Sequence, residues 1–555
     1  MSKAYYDVIV VGSGAAGGMA TYQLAKSGIK VLLLEAGSDV DPRRDNQRHR
    51  MVYELPLRGA MSPQERDRFR INKSANFYNK HVMMEDAEEP YSTPPGKPFV
   101  WVRSRVVGGK TLHWGRLSLR FSDLDFQVAS RDGYGVDWPV RYSDLESYYS
   151  YVERLIGVAG TREGLPHMPD GLYQPAVRLR CGEHQLRLGC ERMGLRLIPA
   201  RVAVVTRKDF NRPACHYCGY CGRLCCTGAM FSSRVSFIPW GQKTGNLRLR
   251  PNAVVRAVLT DQDGFARGVA FVDRKTRREE EVSAAAVVLG ASTLESARIL
   301  LNSKIANSSG QVGRNLSEHL MAAKITGFAP ALAGRMPSYA EDGHPGFSLI
   351  PPFQNVDSRE KSFIRSYTFQ CSSGVTEYPG FAHGLDGFGA AFKKRVKELY
   401  PAMVTMQTNG EVLPAPGNYA EIDPDGTRDP YGIPTLRIHL SYGENERQMI
   451  RHMNEKAEEI FRASGIEILS RDPEARPPGW SIHEVGTARM GNDPRTSVLD
   501  RFNRSHDVPN LFVVDGSAFP AATALEPTLT IMALAARASD HLIRLARRRD
   551  LRKRV

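Results

Sequence analysis

The sequence lacks any run of about 18 uninterrupted apolar residues, so no membrane-spanning helix is expected. It also lacks a charged start followed by an apolar core and a cleavage site. Met1-Ser2-Lys3-Ala4-Tyr5 leads straight into an apolar strand. No secretory signal is therefore expected, and the default compartment is the cytoplasm. Export to the periplasm alongside a partner that carries its own signal stays open. Eight cysteines in 555 residues are far too few for a disulfide scaffold. No internal repeat or low-complexity tract is present. Basic residues are not interleaved with aromatics in patches, so nucleic acid is not an expected partner.

What is present is an ordinary globular balance, 42% hydrophobic and 24% charged. At roughly 100–200 residues per domain, the length suggests two to four structural units. The net charge is +15, and it is uneven. Arg544, Arg547, Arg548, Arg549, Arg552, Lys553 and Arg554 crowd the C-terminus against one Asp550. That tail reads as a solvated helix end or as a docking surface for a partner or an anionic membrane. The cysteines are uneven too. Five of the eight lie between Cys215 and Cys226. Cys215-x2-Cys218-x2-Cys221-x3-Cys225 has a bacterial ferredoxin spacing, with Cys226 where proline would follow. Such a thiolate set also suits zinc, and free thiols or a local disulfide are the plain alternative.

The strongest motif is at the start. Asp7–Val11 reads as a β-branched strand, and Gly12-x-Gly14-x-x-Gly17 follows at once and opens a helix. A second strand, Lys30–Leu34, ends on Glu35. Gly12 permits the tight turn, Gly14 lets a pyrophosphate approach, and Gly17 allows close helix–sheet packing. The helix start, with Ala15 and Ala16, offers free N–H groups and a positive dipole end. Glu35 can accept the ribose hydroxyls. Strand, helix and acid together make a bound dinucleotide the expectation. Further along, helices are expected at 63–72, 141–157, 294–301, 444–464 and from Pro527, with strands within 246–273 and at 284–289, 435–440 and 511–514. The span 325–480 is otherwise weakly patterned.

Four later stretches add a resemblance. They are Arg105-Val-Val-Gly108-Gly109-Lys-Thr-Leu-His113-Trp114-Gly115, Val312-Gly-Arg-Asn315-Leu-Ser-Glu-His319, His483-Glu-Val-Gly486-Thr-Ala-Arg489-Met-Gly491 and Asn510-Leu-Phe-Val-Val-Asp515-Gly516-Ser517. With the fingerprint they resemble the glucose–methanol–choline (GMC) oxidoreductases, above all sugar and glycoside dehydrogenases and pyranose oxidase-like members. The resemblance implies an α/β fold. A Rossmann-like FAD-binding domain would be assembled from 1–40, 95–325 and 480–555, with a cysteine-rich loop at 213–228. A substrate-binding α+β domain on an antiparallel sheet would occupy 325–480. Residues 41–94 would form a lid, insertion or partner-contact segment.

The resemblance also implies roles. His483 matches the active-site histidine and would take the hydroxyl proton as hydride leaves for the flavin. The second active-site position, usually His or Asn, is Glu526 here. That departure leaves three readings: a shared base, a binder of a substrate hydroxyl or cation, or a retuned site. Thr528 begins the helix whose N-terminus would face the flavin. Gly108, Gly109 and Trp114 fall in a cofactor segment. In that segment His113 would either bond covalently to FAD or pack beside it. Val254 would lie against the adenine, and Asp515 and Gly516 against the pyrophosphate or ribityl chain. Cys215, Cys221 and Cys225 fit the spacing of a three-iron cluster, with Cys218 as an alternative ligand. Such a cluster would pass electrons to a cytochrome in company with a small partner subunit. The expected reaction is oxidation of a CH–OH group of a sugar or glycoside, first at C3, then at C1 or C2. The rivals are a dehydrogenase of a non-sugar alcohol or polyol, and a flavin-bearing electron-transfer subunit.

Overall fold

The computed structural model describes residues 6–42, 50, 54–72, 75–208, 210–219, 221–335, 345–357, 359–374 and 380–551. Arg552, Lys553 and Arg554, the end of the basic tail, lie outside the described residues. Parts of the 41–94 segment do too.

Two sheets carry the site. The first has a parallel part, β1 (Tyr6–Val11), β2 (Val31–Leu34), β4 (Leu247–Arg250), β7 (Glu279–Leu289) and β15 (Leu511–Val513), in the order β4-β2-β1-β7-β15. Register is set by pairs such as Val8 with Val31, Val8 with Ala286, and Leu511 with Val287. Val8–Val11 and Val31–Leu34 are buried throughout. That is the pattern of strands covered on both faces, which is why these stretches are continuously apolar rather than alternating. The N-terminal half of β7 turns away and pairs antiparallel with β6 (Ala266–Asp273), which pairs with β5 (Ala253–Thr260). The helix Ala15–Lys26 packs on this sheet, and the last helix, Thr528–Arg548, packs on it in turn.

The second sheet is antiparallel. It takes in β3 (Ile198–Pro199), β8 (His319–Phe328), β9 (Ser348–Ile350), β10 (Tyr367–Ser373), β11 (Met403–Glu411) and β14 (Glu467–Asp472), in the order β14-β8-β11-β10-β9-β3. The amphipathic helix Glu444–Ala463 and the helix Cys181–Arg192 cover one face. Tyr367, Phe369, Cys371, Val404 and Met406 meet Leu186, Met453 and Phe461 in that core. By strand alternation, Gln370 and Asn409 point to the other face, and both line the cavity described below. A small hairpin, β12 (Tyr419–Ile422) and β13 (Leu436–His439), completes the strands described.

Candidate active site

Where β1, β2, β7 and β15 end, the chain reaches Gly12, Glu35, Gly290 and Asp515. All four line one cavity of about 410 Å³. Ligands of open α/β sheets bind at this edge. Gly12 has φ +90°, and a Cβ there would sit 2.5 Å from the Gly290 carbonyl oxygen. A Cβ on Gly17 would come within 1.9 Å of the Gly12 carbonyl oxygen. The helix start therefore lies directly on the strand ends. No side chain caps it, so its dipole and backbone N–H groups are left for a ligand, with Gly14, Ala15 and Ala16 on the cavity wall.

Glu35 also lines the cavity, but it is tied to the chain. One oxygen accepts from Ser13 N at 3.0 Å and from Ser13 Oγ, and the other from Gly37 N at 2.8 Å. Burial raises its pKa against those bonds. Ser13 Oγ in turn accepts from Gly108 N at 2.9 Å, which binds the fingerprint loop to the Gly108–Gly109 turn. Asp515 behaves alike. Its oxygens accept from Ser292 N at 3.1 Å, Ser517 N at 3.0 Å and the hydroxyls of Ser296 and Ser517. Gly109, His113, Trp114, Val254, Gly516 and Thr528 line the same cavity, whereas Gly17 and Gly108 shape it from behind. Trp114 is held by Nε1 donating to the Phe231 carbonyl at 2.9 Å. His113 meets Ser104 Oγ through Nε2. Burial, then Lys110, pushes its pKa down to about 4.

His483 and Glu526 face this cavity from the other side. The His483 loop is strained: Ile482, a β-branched residue, has φ +65°. Glu318 holds it there, one oxygen accepting from Gly479 N at 2.7 Å and the other from Ser481 Oγ at 2.8 Å. His483 Nδ1 lies 2.9 Å from His319 Nδ1, and His319 Nε2 lies 2.6 Å from the Thr523 carbonyl oxygen. These contacts assign the protons. A carbonyl only accepts, so His319 carries its proton on Nε2 and offers a lone pair at Nδ1. His483 must then donate from Nδ1, which leaves its Nε2 lone pair free. Burial, then repulsion from His319 and Lys110, puts the His483 pKa well below its ordinary value. Burial lowers that of His319 to about 4.

Glu526 is 3% exposed. Its Oε1 accepts from Gln370 Nε2 at 2.6 Å and Asn409 Nδ2 at 3.3 Å. Burial raises its pKa to about 7. Sequence reasoning quoted His319 within a motif without a role and passed over Gln370, Asn409 and Ser104. The alternation Tyr-Thr-Phe-Gln-Cys-Ser over 367–372 was the available signal for Gln370.

A dinucleotide cradle facing a pair of neutral histidines, His319 buried and His483 half-buried, defines a protein that binds a redox nucleotide and can move a proton beside it. This chain belongs to the GMC oxidoreductase family. The N-terminal family model matches residues 6–321 and the C-terminal model residues 416–535. GMC oxidoreductases bind FAD, and the glycine cradle, the uncapped helix start and the 410 Å³ cavity fit that cofactor. The chain is 28% identical to 2-methyl-1,2-propanediol dehydrogenase of Mycolicibacterium austroafricanum, over 97% of this chain and 95% of that one. It is 28% identical to the fructose dehydrogenase large subunit of Gluconobacter japonicus, over 97% of each. Among solved structures, pyridoxine 4-oxidase from Mesorbium loti superposes with TM-score 0.62 at 18% identity, covering 97% of this chain and 99% of that chain. That likeness shows the fold.

The cysteine expectation finds no support among the described residues. None of the eight cysteines is in a disulfide. Among the described residues no group of three or more His, Cys, Asp or Glu is placed to hold a metal ion. Among the described residues Cys215, Cys218, Cys221 and Cys225 are thus not gathered into a ligand set for an iron–sulfur cluster or zinc. Local contacts occupy the thiols instead. Cys215 Sγ accepts from Tyr217 N at 3.4 Å, Cys225 Sγ from Met230 N at 3.5 Å, and Cys226 Sγ lies 3.5 Å from His216 Nε2. Burial, reinforced by the neighbouring thiols, raises the Cys215 pKa to about 12, far from a ready thiolate. No helix among the described residues is long and apolar enough to cross a membrane. Iron and acid-labile sulfide assays on anaerobically purified protein are expected to find neither. Stoichiometric amounts of both would restore the cluster.

Proposed function

We propose that the chain oxidises a CH–OH group of a sugar or glycoside to the carbonyl, with C3 the first position to examine and C1 or C2 next. The observation that carries this reading is the Thr523–His319–His483 chain, which leaves one unprotonated imidazole nitrogen on the cavity. FAD, when bound, supplies the hydride acceptor. His483 Nε2 takes the hydroxyl proton, and its low pKa keeps the lone pair available throughout the neutral range. His319 acts as a positioning residue, holding the tautomer and ring plane. Met321 of β8, Gln370 of β10 and Asn409 of β11 border the space left for the rest of the substrate. The fructose dehydrogenase relative supports a sugar, and its name as a large subunit supports a small partner. The propanediol dehydrogenase relative supports the rival reading, a polyol.

The cofactor is held without a bond to His113, whose Nε2 is engaged by Ser104. Without a cluster, reoxidation falls to oxygen or a diffusible quinone rather than to a cytochrome relay.

Three measurements test this. Anaerobic mixing of FAD-loaded enzyme with sugars, glycosides and simple alcohols is expected to bleach the flavin. His483→Ala is expected to slow bleaching by about 10²–10⁴-fold. No bleaching by any of them, at full FAD loading, would sink the reading. Acid precipitation is expected to release all flavin to the supernatant, and flavin retained in the pellet would establish the covalent link. The pH dependence has a defined sign. His483, His319 and His113 stay neutral between pH 6 and 8, and Lys110 is paired with Glu484. Glu526 ionises near 7, and its charge then opposes the charge that hydride brings. For an uncharged sugar, reduction is expected to slow as pH rises through about 7, and Glu526→Gln to flatten that profile. A step that survives the substitution refutes the assignment.

A further inference from the structure

His483 stands on a short loop, and both of its chain neighbours reach the same cation. Lys110 Nζ donates to the Ile482 carbonyl at 3.4 Å and to Glu484 Oε2 at 3.0 Å. Lys110 comes 372 and 374 positions before these partners. It sits in the single turn Gly109–Leu112, which leads into His113.

That turn belongs to the cofactor side of the cavity. Gly108 N donates to Ser13 Oγ at 2.9 Å. A Cβ on Gly109 would stand 3.5 Å from Gly14 Cα, so the turn rests on the fingerprint loop. Lys110 and His113 line the cavity, as do Ile482, His483 and Glu484. One side chain therefore joins the cofactor cradle to the loop of the base.

The loop has need of such a tie. Its ends are fixed elsewhere. Glu318 receives Gly479 N and Ser481 Oγ on one side, and Val485 exchanges backbone bonds of 3.0 and 2.8 Å with Ser317 on the other. The bend lies between them, at Ile482 with its φ of +65°. A β-branched residue keeps such a conformation only where its surroundings over-determine it. Lys110 takes hold of the carbonyl at that bend. Glu484 supplies the second grip. It is 7% exposed, and a buried carboxylate is stable when charged only if it is paired. A charge-assisted bond in such a place is stronger than a neutral one. The ammonium is felt at both rings. Behind burial and His319 it lowers the pKa of His483, and behind burial it lowers that of His113.

We propose that Lys110 is a positioning residue for His483, clamping Ile482 and Glu484 so that the placing of the cofactor turn also places the base. This rests on the alcohol-oxidation reading for what His483 does, and adds the device that couples it to the cofactor seat. A cofactor that settles the Gly108–Gly109 turn then settles the imidazole as well.

The test reads the loop and the chemistry separately. Hydrogen exchange is followed by mass spectrometry in FAD-loaded protein matched for flavin content. Lys110→Met is expected to speed exchange of the peptide 479–486 about tenfold, and to leave the fingerprint peptide 6–20 unchanged. Lys110→Arg, which keeps the charge and the reach, is expected to restore most of the protection. Glu484→Gln weakens the clamp without stranding a buried charge. Alone it is expected to loosen the loop by about threefold, and in the Lys110→Met protein to loosen it no further. Anaerobic flavin reduction by the best alcohol is expected to slow about 10–100-fold in Lys110→Met, with the Kd of that alcohol held within about twofold. Unchanged exchange of the peptide 479–486 overturns the proposal. So does a loosened loop with undiminished reduction, and so does a loss confined to FAD affinity. If no alcohol bleaches the unsubstituted enzyme, the oxidation reading fails, and the exchange contrast still decides the clamp.

Discussion

A helix start can face a phosphate only if it sits directly on the strand before it. Here that closeness is set by the backbone contact of Gly12, Gly17 and Gly290. Any side chain at Gly12 or Gly17 would occupy space already filled by carbonyl groups at 2.5 Å and 1.9 Å. The contact brings β1, β7 and the first helix to one point, and the cavity opens at that point. The rest of the site hangs from it. Ser13 ties the loop to Glu35, and the same hydroxyl receives Gly108 N. One glycine crossing thus positions the second strand and the Gly108–Gly109 turn, which lead to His113 and Trp114.

The two acids at this edge show how place and role differ. Glu35 and Asp515 stand where the motifs put them, yet their carboxylates mainly receive backbone N–H and serine hydroxyl groups. They build the loops that present backbone to the cavity. A carboxylate has room for about four hydrogen bonds, so Glu35 can still receive a ribose hydroxyl. Asp515 already holds four, and Gly516 beside it lines the cavity.

The first sheet was legible because its signals are local. A β-branched run, a glycine turn and an acid at the next strand end lie within 35 residues, and continuous burial makes the strands continuously apolar. The second sheet was much less so. β8, β10 and β11 pair across gaps of tens of residues, and their alternation is blurred because both faces are largely covered. Thr368 and Thr408 are buried polar residues, and Asn409 reads as an ordinary loop residue until β11 is placed beside β10. His319 shows the same limit. Its motif could be quoted, but its function depends on lying opposite a residue 164 positions away. The cysteine run shows a different limit. Spacing alone suggested a metal site, while the folded loop turns its thiols to backbone amides, Thr227 and His216.

The histidine pair and Glu526 divide the cavity by charge. Burial keeps His319 neutral, burial with His319 and Lys110 nearby keeps His483 neutral, and their proton order is dictated by a carbonyl that can only accept. This side of the site can take up one proton and cannot offer charge to hold a substrate. Glu526 lies across from them with a buried oxygen unfilled and no cation of its own. A neutral base needs its substrate oriented from elsewhere, because a single hydrogen bond to Nε2 leaves rotation about that bond free. The wall formed by Gln370, Asn409 and Glu526 is the polar surface placed to supply the second fixed point. Two anchors, one for the proton and one for the rest of the molecule, are enough to turn a single carbinol C–H toward a cofactor face. Glu526, held by Gln370 and Asn409, then gives the wall opposite the histidines a polarity that the histidine pair lacks.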